Sequence, residues 1–329
     1  QLFLAAFWTL FALTVCQGSD FCPRRSETAK RFRSIRLITQ FFSLLLLPLC
    51  SLLSPTAALP LVWRSPLSSF LPLHHAKRTK THKQKTKLMP ELPEVERARR
   101  LAEEFVVGKK IVECTAADDT IVIENVPPPT LEKALLNKTV VASKRKGKNA
   151  WWILDSPPHP TFHLGMAGSF RIKGGPTAHY KTQKRTDDDW PPRWCKLLVK
   201  MDDGTEFAFT DTRRFGRIRL LPDPENLPPI SLLGFDPLLE MLSLDEFGVR
   251  LRGRSGTVKG VLLDQAFAAG IGNWIADEVL YQAAVHPATR VGALTDDEVA
   301  AVHGKLEEVI QVACATNADS AKFPESWLF

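Results

Sequence analysis

The chain has 329 residues, with 43 Lys and Arg against 36 Asp and Glu, a net charge of +7 and a hydrophobic share of 44%. That length supports two domains with cores of their own. Residues 1–88 hold 13 of the basic and 2 of the acidic residues, which leaves 30 against 34 in residues 89–329. Bulk charge therefore gives no argument for a nucleic-acid partner, and only local clusters can. The six cysteines, Cys16, Cys22, Cys50, Cys114, Cys195 and Cys314, are scattered without a C-x-x-C pair. They define no zinc site and point to reduced thiols.

Two apolar runs, residues 2–16 and 41–53, open the chain. Both fall short of the roughly 20 residues that a membrane-spanning helix needs. The first has the character of a signal-peptide core, and the basic, Ser-rich stretch between them that of an organelle-targeting segment. Residues 77–87 form a lysine-rich tract expected to be disordered. Residues 1–88 are read either as upstream sequence outside the working protein or as a targeting segment cleaved at Met89 or Pro90.

The reason for that division is the string Met89-Pro90-Glu91-Leu92-Pro93-Glu94-Val95-Glu96. Met before Pro is a start from which Met is normally removed, and this would free the secondary amine of Pro90. With an α-amino pKa near ~8, much of that amine is uncharged near neutral pH. It can then attack an aldehyde-like carbon and give an iminium ion that acidifies neighbouring C–H bonds. Any extension retained before Pro90 turns the amine into an amide and abolishes the nucleophile. Glu91 is placed to protonate a leaving or ring oxygen, and Glu94 and Glu96 lie in the first turn of a helix opened by Pro93 at N1. Val95, Ala98, Ala102, Phe105 and Val106 repeat at helical spacing and should bury one face. Read from these residues alone, an ordinary acidic helix start stands beside this catalytic one.

From residue 111 the pattern changes to short strands at 111–114, 139–142 and 150–154. Between the last two lies S-K-R-K-G-K-N, residues 143–149, read as a hairpin tip with four basic residues. F-H-L-G-M-A-G follows at 162–168, then a polar insertion at 173–194, with 187–192 as a loop. A strand hairpin turns around Asp202-Asp203-Gly204 and leads into D-T-R-R-F-G, residues 211–216. There Arg213, Arg214, Arg217 and Arg219 make a basic patch. A Pro-rich linker spans 222–229. Beyond L-G-F-D-P-L at 233–238, helices are expected at 239–250, 258–268, 274–284 and 296–315, with G-I-G-N at 270–273 as a tight turn.

M-P-E-L-P-E-V-E, H-L-G-M, R-R-F-G and G-I-G-N-x-x-x-x-E, taken together and in this order, resemble the formamidopyrimidine-DNA glycosylase and endonuclease VIII family, in its formamidopyrimidine branch. The resemblance implies an α+β, multidomain chain: a two-layer β-sandwich flanked by helices over 89–222, a linker over 223–237 and an all-α helix-two-turns-helix module over 238–329. It implies a bifunctional DNA glycosylase and abasic-site lyase acting on oxidised purines, with Pro90 as nucleophile, Glu91 as acid, and Glu94 and Lys148 completing the catalytic set. It further implies that His163, Lys259 and Asn273 grip DNA, that Met166 fills the gap left by the flipped nucleotide, and that Arg213 and Phe215 address the orphaned base. The family writes D-P-R-R-F-G where this chain has Thr212, a change that could alter loop stiffness. The ending F-P-E-S-W-L-F resembles the approach to the zincless finger of plant and fungal members, so a carboxy-terminal finger is expected to be missing. The partner implied is damaged double-stranded DNA, bound by a monomer without metal, organic cofactor or membrane. The nucleus follows from the substrate, or the mitochondrion if the amino-terminal extension is retained. The alternative is a damaged-DNA-binding protein of the same fold without catalysis.

Overall fold

A computed structural model describes residues 89–175 and 189–329. The apolar runs, the lysine tract and most of the polar insertion lie outside these residues. Among the described residues no helix is long and apolar enough to cross a membrane.

Helix α1, Leu92–Phe105, opens the fold and joins its two cores. Leu92 packs into the helical core, whereas Val95, Ala98 and Ala102 pack into the sandwich. Phe105, expected on the buried face, is only partly covered and packs against the sandwich core from its rim. Glu91 is the N-cap, so Pro93 falls one residue later than expected, still within the first turn where its missing N–H costs nothing.

Eight strands follow: β1 Ile111–Ala116, β2 Val140–Lys146, β3 Asn149–Leu154, β4 His159–His163, β5 Gly168–Ile172, β6 Cys195–Met201, β7 Glu206–Asp211 and β8 Arg217–Leu221. They form two four-stranded sheets, ordered β1-β6-β7-β5 and β2-β3-β4-β8, with every named pairing antiparallel. A short helix α2, Pro128–Leu135, not anticipated from the sequence, packs beside β1. Its first turn is Pro-rich, which reads as a loop until the buried Leu131 and Leu135 are placed on one face.

The two sheets meet through aromatic side chains. Trp152 and Phe162 come from one sheet, and Phe170, Phe207 and Phe209 from the other. Their ring centroids lie 4.8–6.5 Å apart, mostly edge-on or tilted, as aromatic quadrupoles favour. Alternation in β6 turns Leu197, Val199 and Met201 inward and so fixes the register of that strand.

The expected basic hairpin tip is shorter than its sequence suggests. Lys146 pairs with Asn149, so only Gly147 and Lys148 form the turn. Gly147 takes φ +56, the first-position requirement of a type II′ hairpin. Arg145 is consequently inside strand β2, and it is buried. Its guanidinium donates to Glu96 on α1 at 3.0 Å and bidentately to Asp236 at 2.5 and 3.1 Å. Asp236 also accepts the Gly147 N–H at 2.7 Å. One cation thus holds helix, strand and the start of the helical module together.

That module contains α3 Leu244–Arg252, α4 Val258–Leu263, α5 Asn273–Gln282 and α6 Asp296–Ala315. Helix α3 begins later than expected because Ser243 caps it by accepting the Glu246 N–H. Helix α4 stops at Leu263, short of the expected 268, where Asp264 takes an extended conformation. Phe235, Phe247 and Phe267 form the edge-to-face centre of this core.

Removing Arg145 takes the cation from the buried Asp236, while Glu96 keeps Arg99 and Arg100; breaking such a buried pair costs about 3–5 kcal/mol. In urea titrations Arg145→Met should lower stability by that order. Lys144→Met removes only an exposed pair with Glu225 and should change it by less than ~1 kcal/mol.

Candidate active site and nucleic-acid interface

Pro90 and Glu91 are buried where three backbone segments converge. The Leu92 N–H donates to the Gly270 carbonyl at 3.1 Å. Gly270, at φ +94, comes so close that a Cβ there would lie 2.7 Å from Leu92 Cβ and 3.0 Å from Gly147 Cα. A Cβ on Gly272 would lie 2.2 Å from the Glu91 carboxyl. The glycines of G-I-G-N therefore serve close approach, and no larger residue fits without displacing Glu91 and Leu92.

The Glu91 carboxylate accepts three backbone N–H groups at the start of α5: Gly272 at 2.8 Å, Trp274 at 3.1 Å and Ile275 at 3.2 Å. These donors and the helix dipole favour the ionised form. Burial opposes them and prevails, and the Glu91 pKa is raised to about 7. Glu94 accepts the Glu91 N–H at 3.0 Å and is likewise pushed to about 7 by burial. Lys148 donates to the Ile271 carbonyl at 3.0 Å, and its charge lies close enough to both carboxyls to pull them down. Its own pKa is lowered by desolvation. The arrangement offers a carboxyl that holds a proton near neutral pH beside a partly desolvated cation.

A second group lies across the sheets. Asn149, next to Lys148, pairs with His163 at the end of β4. His163 Nδ1 accepts the Gly165 N–H at 3.1 Å, and burial lowers its pKa to about 4. Its ring is therefore neutral at physiological pH, with the proton on Nε2 free to donate. Gly165, at φ +59, abuts the Phe215 main chain, where a Cβ would lie 2.4 Å away. This contact sets the Met166 loop directly against the loop of Arg213 and Phe215.

That second loop is held from below. Asp211 accepts the N–H of Arg213 at 2.9 Å and of Gly216 at 2.6 Å. Arg214, at φ +58, points away from the apparent patch and grips the buried Asp119 bidentately at 2.9–3.2 Å. Lys196 completes Asp119 at 2.8 Å and, with Arg214, holds its carboxyl far below the usual range. Arg219 pairs with Glu124 at 2.6 Å and Arg217 with the same carboxylate at 3.9 Å. The four-arginine patch read from the sequence is thus reduced to Arg213, which is exposed and lies over the Phe215 ring at 5.1 Å. Phe215 is 48% exposed. On the helical module Asn273 is exposed at the first position of α5, and Lys259 pairs with Asp277, one turn further along that helix, at 2.5 Å.

Comparison with known proteins bears on this geometry. The chain matches the formamidopyrimidine-DNA glycosylase N-terminal domain over residues 89–218 and the formamidopyrimidine-DNA glycosylase H2TH domain over 233–325. The chain belongs to the formamidopyrimidine-DNA glycosylase family. It is 48% identical to the formamidopyrimidine-DNA glycosylase of Arabidopsis thaliana over 242 residues, covering 73% of this chain and 62% of that protein. With that of Paracoccus denitrificans it shares 34% identity, over 71% of this chain and 81% of the relative. The fold matches Lactococcus lactis formamidopyrimidine-DNA glycosylase bound non-covalently to DNA with an abasic site. The TM-score there is 0.59 at 28% identity, covering 70% of this chain and 83% of that one. MutM in complex with DNA containing carbocyclic 8-oxo-G gives a TM-score of 0.58, also at 28% identity, over 69% of this chain and 80% of that one.

Within this family frame, Pro90, Glu91, Glu94, Lys148 and Asn273 gather at the junction, and Lys259 on α4 reaches α5 through Asp277. His163, Met166, Arg213 and Phe215 form the loop group. Asp119 and Lys196, which fix the loop through Arg214, carried no sequence signal, since Asp119 lies 95 residues from Arg214 in the chain. Glu96 and Asp236 stood inside motifs, yet nothing in their spacing announced Arg145 as their common partner.

The buried Glu94 couples this site to stability. A carboxyl whose pKa rises from 4.5 to about 7 on folding favours the folded state below the lower value, and that contribution is lost as pH climbs to 7. Glu94→Gln keeps an acceptor for the Glu91 N–H and removes the ionisation. Its melting temperature should gain on the unsubstituted protein between pH 5 and pH 8, by an amount reflecting up to ~3 kcal/mol. A constant difference across that range would contradict the assignment.

Proposed function

We propose that the protein excises oxidised bases, formamidopyrimidines and related purines, from duplex DNA and then cuts the strand at the abasic site. The single observation that supports this most strongly is the buried seat of Glu91 beside Pro90, where desolvation outweighs the three N–H donors and keeps a proton available near neutral pH.

The reaction requires Pro90 as a free secondary amine, so the Met89–Pro90 bond must first be cleaved. The damaged nucleotide is turned out of the helix, at a cost of a few kcal/mol that is lowest for damaged pairs. Met166 enters the vacated space, Phe215 wedges beside the orphaned base, and Arg213 offers that base a planar donor fork. The Pro90 nitrogen attacks the sugar C1′, the bond to the base breaks, and the base leaves with the bonding electrons and takes up a proton. Glu91 gives its proton to the ring oxygen as the sugar opens, leaving an iminium between Pro90 and C1′. Loss of a C2′ proton expels the 3′ phosphate, and a second elimination expels the 5′ phosphate. Water then releases the sugar remnant and restores the amine. Lys148, Asn273 and Lys259 hold phosphates beside the lesion, Lys259 exchanging Asp277 for the DNA backbone.

Protein beginning at Met89, with Met removed, should form a covalent adduct with abasic-site DNA when borohydride is present. Pro90→Gly should reduce trapping to background, and equal trapping would refute Pro90 as the nucleophile. Glu91→Gln should bind the same duplex with an affinity within a few-fold of the unsubstituted protein and lose base excision. Retained excision would remove Glu91 from the acid role.

A further inference from the structure

The Arg213 loop has an aromatic neighbour that neither the family match nor the reaction accounts for. Strand β7 ends at Asp211, and Gly168 of the Met166 loop flanks it on one side. On the other side the Asp211 N–H donates to the Trp194 carbonyl at 3.1 Å. Trp194 therefore sits at the same end of the sheet as the loops carrying Met166, Arg213 and Phe215. It is 49% exposed, among the more exposed aromatic rings of the described residues. Its backbone is left-handed at φ +62, a region that bulky side chains rarely occupy. The Arg193 guanidinium lies over its ring at 4.8 Å.

Two arginine-over-aromatic pairs thus stand on neighbouring strand ends: Arg213 with Phe215, and Arg193 with Trp194. An exposed indole held in an unfavourable backbone conformation gains nothing from the core, whereas a flat π-surface capped by a cation suits the stacked and anionic faces of a nucleic acid. We infer that Arg193 and Trp194 form a second DNA contact beside the Phe215 wedge, with the indole packing on an exposed base or sugar face and Arg193 turning to a phosphate. This rests on the DNA-binding reading above. It assigns the pair to holding the duplex and gives it no part in bond breaking.

The test measures binding of the full chain to a fluorescent duplex containing a tetrahydrofuran abasic analogue, at several salt concentrations. Trp194→Ala should weaken binding about tenfold, the scale of one lost stacking platform, and Trp194→Phe should recover most of it. Arg193→Ala should reduce the slope of log affinity against log salt by about 1. Unchanged affinity in Trp194→Ala, or an equal loss in Trp194→Phe, would overturn the inference. If the unsubstituted chain itself fails to bind, the DNA reading falls first and the pair with it.

Discussion

The structure depends on keeping one carboxyl, that of Glu91, away from water. Everything nearby serves that constraint. The two glycines of G-I-G-N allow the turn before α5 to press against Leu92 and Glu91. The three N–H groups they bring forward satisfy the carboxylate without adding a full counter-charge. Lys148 supplies a charge from the opposite side, tied to the same turn through Ile271. Burial wins by enough to place the pKa near 7, which is where an acid working at neutral pH is most useful. The same burial raises Glu94, so this pair of buried carboxyls lowers stability at alkaline pH.

That junction would not hold on packing alone, because its parts come from both cores. Arg145 supplies the rigidity. A buried cation shared by Glu96 and Asp236 gains little net stability, since desolvation offsets the attraction. Its value here is positional: the strand before Lys148, the helix after Glu91 and the segment leading into α3 keep one arrangement. A similar device operates at the Phe215 loop. Arg214, itself exposed, commits its guanidinium to the buried Asp119, and the left-handed turn there presents Arg213 and Phe215 outward.

Local patterns in the sequence carried much of this. The helix of residues 296–315 was legible to the residue, because a Thr cap, an acidic first turn and a sustained apolar period agree. The fold class was readable through motif resemblance, and β1, β2, β3 and the hairpin of β6 and β7 through short strand-like runs with turn signals, whereas β4 and β5 were not singled out. Other features were hidden for physical reasons. Arg145 looked like part of a solvated basic tip, since a run such as K-R-K-G-K gives no sign that alternate residues of a strand face a buried acid. Arg214, Arg217 and Arg219 looked like a patch because their acidic partners, Asp119 and Glu124, lie about a hundred residues earlier. Helix α2 was masked by its prolines, and the late start of α3 and the early end of α4 were set by a cap and by one extended aspartate.

The central claim is that the buried junction exists to present the Pro90 amine, and Lys148 is its chemical rival. It is also an amine, it borders Glu91 and Glu94, and desolvation makes it easier to deprotonate than an ordinary lysine. The decisive measurement is peptide mapping by mass spectrometry of the borohydride-reduced adduct with abasic-site DNA. The account predicts the sugar remnant on the nitrogen of an amino-terminal Pro90. An adduct on Lys148 Nζ, with Pro90 unmodified, would contradict it.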